Sequence, residues 1–344
     1  MPPQIKRLPT RVVSIGPVKI GGSNPIAVQS MTNTFTTDVR ATVRQIKACA
    51  DAGCAIIRVA VPDQKALAAF AAIKKLSPLP VVADIHFDYR LAVGAIEAGA
   101  DKIRINPGNL QGAAKLKEII AAAKKRHVPI RIGVNSGSAK KDLVRLASEY
   151  CEFFEAQKFY NLVLSLKSSS VVDSLDAYTR MARRRDYPLH IGITEAGTEY
   201  YGALKSAVGL GALLTRGLGD TVRVSLTANP VKEVLAARHI LKSLGLLACP
   251  EVISCPTCGR TQIDIIGLAN TVEQRLQKLN KNLTVAVMGC VVNGPGEAAQ
   301  ADYGIAGGRG QGIIFAKGRR LKTVPERKLV EELFKLIERS SRFS

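Results

Sequence analysis

Pro80-Val-Val-Ala-Asp-Ile-His86, a helix-length interval, and then Lys102-Ile-Arg-Ile-Asn-Pro107 set the pattern on which the fold is decided. Each run is short, apolar and rich in β-branched residues, and each ends on polar side chains, as a strand does where it leaves a core. The same unit recurs in both directions. Upstream lie Ala55–Val61 and Ile26–Met31; downstream lie Pro129–Asn135, Asn161–Lys167, Leu189–Glu195 and Thr221–Thr227. Helix-like spans such as Val39–Ala52, Gln64–Leu76 and Ala113–Arg126 fall between them. Eight successive βα units call for a closed (β/α)8 TIM barrel rather than an open sheet.

A helix expected over Pro230–Leu244 ends that series, and the chain then changes character. Strands are expected at Glu251–Ser254, Leu283–Met288, Tyr303–Gly307 and Gln311–Ala316, with a helix over Asp264–Leu279 and another after Pro325. At 344 residues the chain exceeds the size at which one core stops growing. The expectation is an α/β protein: a TIM barrel over residues 1–244, followed by a smaller α+β domain over 245–344.

Barrel chemistry sits at the carboxyl ends of the strands. There the sequence offers Gln29 and Ser30, Arg58, Asp84 and His86, Arg104 and Asn106, Arg131 and Asn135, Lys167, Glu195, and Arg223 with Ser225. Four arginines and a lysine inside apolar strands are costly to bury unpaired. Converging on one mouth, they suit a doubly charged phosphate ester, because guanidinium forks bind phosphate oxygens two at a time. A single arginine is ordinarily explained by a salt bridge. Five are not, since only Asp84 and Glu195 stand at strand ends to neutralise them. Glu195 is the acid–base candidate, following an apolar strand and facing a cationic cavity. His86 alone reads most simply as structural, though Asp84-Ile-His-Phe-Asp-Tyr-Arg90 gives it polar company.

The last third carries Cys255-Pro-Thr-Cys258, then Cys290 and Glu297 in Met288-Gly-Cys-Val-Val-Asn-Gly-Pro-Gly-Glu297. Cys-x-x-Cys has three readings: zinc, a redox dithiol, or an iron–sulfur cluster. A dithiol leaves Cys290 without a role. Zinc favours a fourth Cys or His, and no His follows His239. Pro256 and Pro295 suit a rigid, water-poor cluster pocket. Cys49, Cys54 and Cys151 read as packing, and Cys249 as a buried thiol or a spare ligand.

Composition narrows the class. Seven cysteines at irregular spacing do not form a secreted disulfide framework, the N-terminus lacks the apolar run of a signal peptide, and no window approaches a membrane span. A reducing cytosol is expected. The 49 Lys+Arg against 28 Asp+Glu give +21, a charge that elsewhere signals nucleic-acid binding. Here the basic residues are dispersed apart from Arg183-Arg-Arg185 and Lys317-Gly-Arg-Arg320. A solvated surface attracting anionic substrates or acidic protein partners is favoured over nucleic acid; a cationic barrel with structural zinc that contacts RNA is the competing class.

Pro25-Ile-Ala-Val-Gln-Ser-Met-Thr-Asn-Thr34, Val82-Ala-Asp-Ile-His-Phe-Asp-Tyr-Arg90, Arg104-Ile-Asn-Pro-Gly-Asn109, Arg131-Ile-Gly-Val-Asn135, Gly192-Ile-Thr-Glu-Ala-Gly197 and the two cysteine motifs together resemble the 4-hydroxy-3-methylbut-2-enyl diphosphate synthase family in its short bacterial form. The resemblance runs in order through nearly the whole chain. It implies a [4Fe-4S] cluster on Cys255, Cys258, Cys290 and Glu297, with Glu297 the weak, displaceable ligand. It implies reductive dehydration of 2-C-methyl-D-erythritol 2,4-cyclodiphosphate, with Arg58, Arg104, Arg131 and Lys167 on the diphosphate. Arg223 and Ser225 would support them, with His86 nearby, Asn135 would orient the substrate, and Glu195 would serve the departing hydroxyl. It further implies flavodoxin or ferredoxin as electron carrier, and a head-to-tail homodimer.

Overall fold

The computed structural model describes residues 5–110, 112–135, 142–279, 282–290 and 299–340. Its chain divides into two compact units, Met1–Leu247 and Ala248–Ser344.

The first unit opens with a hairpin, β1 (Val13–Ile15) against β2 (Val18–Ile20). Eight parallel strands follow: β3 (Ala27–Met31), β4 (Ile56–Ala60), β5 (Val81–Ile85), β6 (Lys102–Ile105), β7 (Ile130–Asn135), β8 (Leu162–Lys167), β9 (His190–Ile191) and β10 (Thr221–Val222). They pair in the order β8-β7-β6-β5-β4-β3-β10-β9. A parallel bridge between Leu164 and Leu189 joins the two ends into a ring. Helices α1 (Val39–Asp51), α2 (Gln64–Leu76), α3 (Tyr89–Glu97), α4 (Ala113–Arg126), α5 (Leu143–Ala156), α6 (Val171–Ala182), α7 (Glu199–Leu214) and α8 (Pro230–Ser243) complete the βα repeat.

Local chemistry starts these helices where the sequence says. The side chains of Asp38, Asp63, Asp88, Asp142, Ser170 and Asn229 each accept a hydrogen bond from a backbone N–H of the first turn of α1, α2, α3, α5, α6 and α8. Each satisfies a donor the helix itself leaves unpaired. Apolar faces of helices and strands then bury a continuous layer that includes Ile46, Phe70, Ile73, Ile103, Ile119, Ile132, Phe154, Leu164 and Leu213.

Inside the ring the strands are strictly alternating, and the inward positions are layered. At the amino ends Ala27, Ile56, Val82 and Val163 pack on Val13, Ile15 and Ile20 of the hairpin. The hairpin is therefore an apolar plug. Lys102 stands level with Val82 in that floor, and because side chains repeat every second residue, the next inward positions are Gln29, Arg58, Asp84, Arg104 and Arg131, which are polar.

Two of the eight expected strands are much shorter than their apolar runs. β9 stops at Ile191 instead of reaching Glu195, and β10 stops at Val222 instead of Thr227. At Gly192 the backbone runs so close to its neighbours that a Cβ would lie 2.4 Å from the Arg223 carbonyl oxygen. Three residues on, Glu195 adopts a left-handed φ of 51°, which no strand accommodates.

The second unit is a five-stranded sheet ordered β11 (Glu251–Ser254), β12 (Thr284–Met288), β13 (Tyr303–Gly308), β14 (Gln311–Ala316) and β15 (Arg319–Pro325). The first three strands are parallel and the last two antiparallel. Helix α9 (Ile265–Leu276) and the C-terminal helix (Leu329–Ser340) pack Val272, Leu276, Leu333 and Ile337 against Val285, Val287, Ile305 and Ile314. Strand β15 and the β1–β2 hairpin are absent from the sequence expectations. The hairpin strands have three residues each, and β15 is an almost wholly exposed edge whose arginines read as a charge run.

Candidate functional site

Asp84 organises the barrel interior. Its buried carboxylate lies 3.8 Å from Arg58 Nε, 3.3 Å from Arg104 Nη1 and 3.3 Å from His86 Nε2. Burial alone pushes this carboxyl up, but Arg58, the His86 hydrogen bond, Arg104 and Arg131 together hold it far below the usual carboxylate range. His86 Nε2 is also 3.2 Å from Arg104 Nη1. That nitrogen can accept from Arg104 or, when protonated, donate to Asp84, but not both.

Arg131 is the most constrained cation. It is 1% exposed, and its Nε and Nη1 have no hydrogen-bond partner. Arg104 Nε is likewise unpartnered, while its Nη2 reaches the Gly133 carbonyl at 3.5 Å. Glycine is required there, since a Cβ at 133 would sit 2.7 Å from Arg104 Nε. Gly192 does the same for Lys167, whose Nζ would lie 2.7 Å from a Cβ. Burial pushes Lys167 well below the normal lysine range, with Arg223, Arg131 and Arg58 adding to the effect. Arg58 is pushed down to about 10, by burial first, against the pull of Asp84.

Arg223 is held differently from the expectation. Glu233, on α8, grips it with two contacts of 3.2 Å, and also accepts from Ser30 Oγ at 2.8 Å and the Leu226 amide at 3.0 Å. This buried carboxylate corrects the expectation that only Asp84 and Glu195 neutralise the ring. Sequence periodicity misses Glu233 because it lies on a helix, outside the strand-end pattern. Glu195 itself is exposed and turned by its positive φ, so it neutralises no cation inside the barrel. Asn135 stands level with Lys167 in the β7–β8 register. Ser225, half-buried, follows Arg223 beyond the end of β10.

Two further interior residues escape the sequence reading. Lys102 is fully buried, with its Nζ 3.2 Å from Gln29 Oε1. His190 is fully buried, with Nδ1 2.7 Å from Thr221 Oγ1 and Nε2 unpartnered. Burial, followed by Arg131, Lys167, Lys102 and Arg58, drives His190 far below its ordinary value, so it is neutral. The signal was present for Lys102: it is two residues before Arg104 and therefore shares its face.

The census is lopsided. Arg58, Lys102, Arg104, Arg131, Lys167 and Arg223 are six basic side chains; Asp84 and Glu233 are two carboxylates. A low-dielectric chamber with that excess has the chemistry to receive a multiply charged anion.

In the second unit Cys255 follows β11 and Cys290 follows β12, two adjacent parallel strands in which Ser254 faces Val287. The Gly289 amide donates to Cys255 Sγ at 3.3 Å, and the Gln262 amide donates to the Gly289 carbonyl at 3.0 Å. Cys258 closes a turn with Thr261, donating its amide to Thr261 Oγ1 at 3.2 Å. Its thiol is lowered first by the Arg260 amide, which favours the thiolate a metal needs. Contrary to a water-poor pocket, Cys258 is exposed and Cys255 half-buried; Cys290 is buried. Among the described residues no three ligating side chains stand close enough to hold a single metal ion. A multi-iron cluster is wider than one ion, and N–H groups directed at sulfur are what such a cluster uses. The donor chemistry fits that group. Glu297 lies outside the described residues.

Cys49, Cys54, Cys151 and Cys249 are buried. Burial pushes the first three thiols up, as packing residues require.

Fold and sites define a TIM-barrel protein with a cationic interior and a separate small unit bearing a cysteine loop. A family described as the GcpE TIM-barrel domain matches residues 10–238, and one described as the GcpE protein C-terminal domain matches 251–339. The chain belongs to the GcpE family. It is 56% identical over 343 residues to the 4-hydroxy-3-methylbut-2-en-1-yl diphosphate synthase (flavodoxin) of Caldanaerobacter subterraneus subsp. tengcongensis, covering 96% of this chain and 97% of that one. The protein of the same name from Bacillus subtilis is 50% identical over 345 residues, covering 96% and 92%. Among solved structures, the dihydropteroate synthase of Yersinia pestis overlays 69% of this chain and 99% of its own, with a TM-score of 0.50 at 14% identity. That likeness concerns the barrel fold alone.

Proposed function

We propose that this chain is a cytoplasmic iron–sulfur oxidoreductase that converts 2-C-methyl-D-erythritol 2,4-cyclodiphosphate into 4-hydroxy-3-methylbut-2-enyl diphosphate. The observation that carries the reading is the surplus of buried cations in the barrel, in a chain whose relatives are named for a diphosphate product. With both compounds written as neutral acids, two electrons and two protons enter, the ring C–O bond opens, and one water leaves.

Arg58, Arg104, Arg131 and Lys167 bind the diphosphate; the unpartnered N–H groups of Arg104 and Arg131 are the donors a phosphate oxygen would take. Arg223, already gripped by Glu233, contributes field rather than a free fork, with Ser225 beside it. Asn135 orients the carbon chain, and His86 steadies Arg104. Glu195 holds the proton for the departing hydroxyl. Cys255, Cys258, Cys290 and Glu297 hold the [4Fe-4S] cluster, which when bound supplies electrons one at a time.

Flavodoxin, named for the relatives, or ferredoxin is the proposed electron source. The net charge of +21 supports steering of an acidic carrier. Turnover with flavodoxin should fall steeply as salt rises, because exposed charges are screened within about 10 Å at 0.1 M. A small neutral reductant should be indifferent. The exposed Tyr200, Tyr201, Leu204 and Val208 on α7 support association with a second copy, in the head-to-tail homodimer of the proposal. No helix among the described residues is long and apolar enough to cross a membrane.

The test is anaerobic purification with iron and sulfide analysis, followed by reduction of the cyclic diphosphate. Brown, iron-loaded protein that forms the allylic diphosphate is expected. Zinc in place of iron, or iron-loaded protein inert toward this substrate, would overturn the proposal.

A further inference from the structure

Lys102 is unlike the other cations of the barrel. It stands level with Val82 in the β5–β6 register, and Val82 belongs to the apolar floor packed on Val13, Ile15 and Ile20. Below it the floor is apolar, and the carboxylates described at the amino end of the barrel are engaged elsewhere: Asp101 by Lys74 at 2.8 Å and the Val81 amide, and Asp220 by Arg7 at 2.6 Å, Thr10 and the Leu189 amide. Above it, one layer up on its own strand, is Arg104; around the ring at or above its level are Arg58 on β4, Asp84 on β5, Arg131 on β7, Lys167 on β8, His190 on β9 and Arg223 beyond β10. Of the two carboxylates in the chamber, Asp84 is engaged by Arg58, Arg104 and His86, and Glu233 by Arg223, Ser30 and the Leu226 amide. The hydrogen-bond partner of Lys102 Nζ is a neutral amide oxygen, Gln29 Oε1. An ammonium has three N–H donors, and one acceptor leaves two of them buried and unmet. A neutral amine fits that surrounding far better.

An anion in the mouth reverses the balance. A dianion placed among Arg58, Arg104 and Arg131 cancels the repulsion that those groups exert on the floor, and in a water-poor chamber such a change acts at full strength. We propose that Lys102 is a proton store beneath the anion site: it is a neutral amine in the free protein and takes up a proton from solvent when the diphosphate binds above it. Lys102 touches no substrate atom. It is a positioning residue that tunes the field under the site, so binding draws a proton into the barrel and tightens as pH falls through the alkaline range. Burial, then Arg131 and Arg58, pushing Lys102 well below the ordinary lysine range, agrees with the geometry.

The inference rests on the anion-site reading, and calorimetry separates the two. The oxidised holoenzyme is titrated at pH 8 with 2-C-methyl-D-erythritol 2,4-cyclodiphosphate in two buffers of different ionisation enthalpy, such as Tris and HEPES. Each phosphoryl group of this ligand carries one ester link, one anhydride link and a single strongly acidic oxygen, so the ligand contributes no proton near neutrality. Wild type should show a heat that differs between buffers, corresponding to roughly one proton taken up per ligand. Lys102→Met, which keeps the length of the stem, should bind while losing most of that difference; Lys102→Gln serves as the second neutral variant. Lys167→Met measures any share taken by the other buried lysine. Binding with identical heats in both buffers overturns the proposal, as does full proton uptake in both Lys102 variants. No binding at all overturns the anion-site reading and this inference with it.

Discussion

The barrel interior and the cysteine loop solve opposite problems. In the barrel, every proposed contact but Glu195 hangs on a strand or just beyond one, with Arg131 near the amino end of β7 rather than at its carboxyl end as expected; the backbone is fixed by its ladder, and space for the cation heads is cut into it by Gly133 and Gly192. Its described basic groups are in place and outnumber the carboxylates. In the small unit, Cys255 and Cys290 leave adjacent strands but Cys258 sits exposed on a turn, held by a few backbone hydrogen bonds. That site has donors and little enclosure. In the proposed roles, one region stores unfavourable charge that a ligand would relieve, and the other would take its shape from an inorganic group.

The sharpest break between the two comes from the thiols. Cys290→Ser should remove the iron and all turnover, while the substrate still binds the barrel. A loaded cluster in that variant, read by iron analysis and absorption, would dissolve the ligand assignment. Arg104→Ala or Lys167→Ala should do the reverse, leaving iron content intact and weakening substrate binding by about 2–5 kcal/mol, or some 30- to several-thousand-fold. Unchanged affinity in both would remove the diphosphate from the strand ends.

A smaller effect has the less expected sign. Arg131→Met takes a buried, half-satisfied charge out of the overloaded chamber, so it should stabilise the ligand-free protein, by about 1–3 kcal/mol, while costing affinity. Chemical denaturation reads it; a loss of stability would mean that Arg131 is structurally paired after all. The smallest effect is a slope. Lys102 and Lys167 are depressed bases, so the unfolded chain binds more protons than the folded one. Their contribution to stability therefore rises with pH up to the unfolded lysine value near 10.4. Asp84 works at the other end: its contribution is present above about 3.9 and is lost as pH falls below that toward its depressed folded value. Melting curves between pH 7 and 10 should climb less steeply in Lys102→Met than in wild type.

How much of this was legible follows from where each residue sits. The eight strands and the cations Arg58, Arg104, Arg131 and Lys167 were readable because inward residues at strand ends repeat with period two. Lys102 has the same periodicity, two residues before Arg104, but it lies on the floor of the barrel level with Val82, outside the strand-end pattern. Glu233 was not readable, because a helix residue reaches the chamber only through tertiary packing. The early end of β9 was hidden by the apolar run through Ile193, since a left-handed turn at Glu195 leaves no mark in hydropathy. In the small unit the strands were clear, whereas the exposure of Cys258 depends on how its turn lies on Gly289, which spacing alone does not encode.

The central claim is that the surplus charge of the barrel exists for an anion. Thermal unfolding of the oxidised holoenzyme with and without 2-C-methyl-D-erythritol 2,4-cyclodiphosphate, in wild type and Arg131→Met side by side, tests it most directly. Ligand at 100 times its dissociation constant stabilises by about 2.7 kcal/mol, which for a barrel of this size corresponds to roughly 5–10 °C. The account predicts such a rise in wild type and little or none in Arg131→Met at the same ligand concentration. No rise in wild type, or equal rises in both, would contradict it.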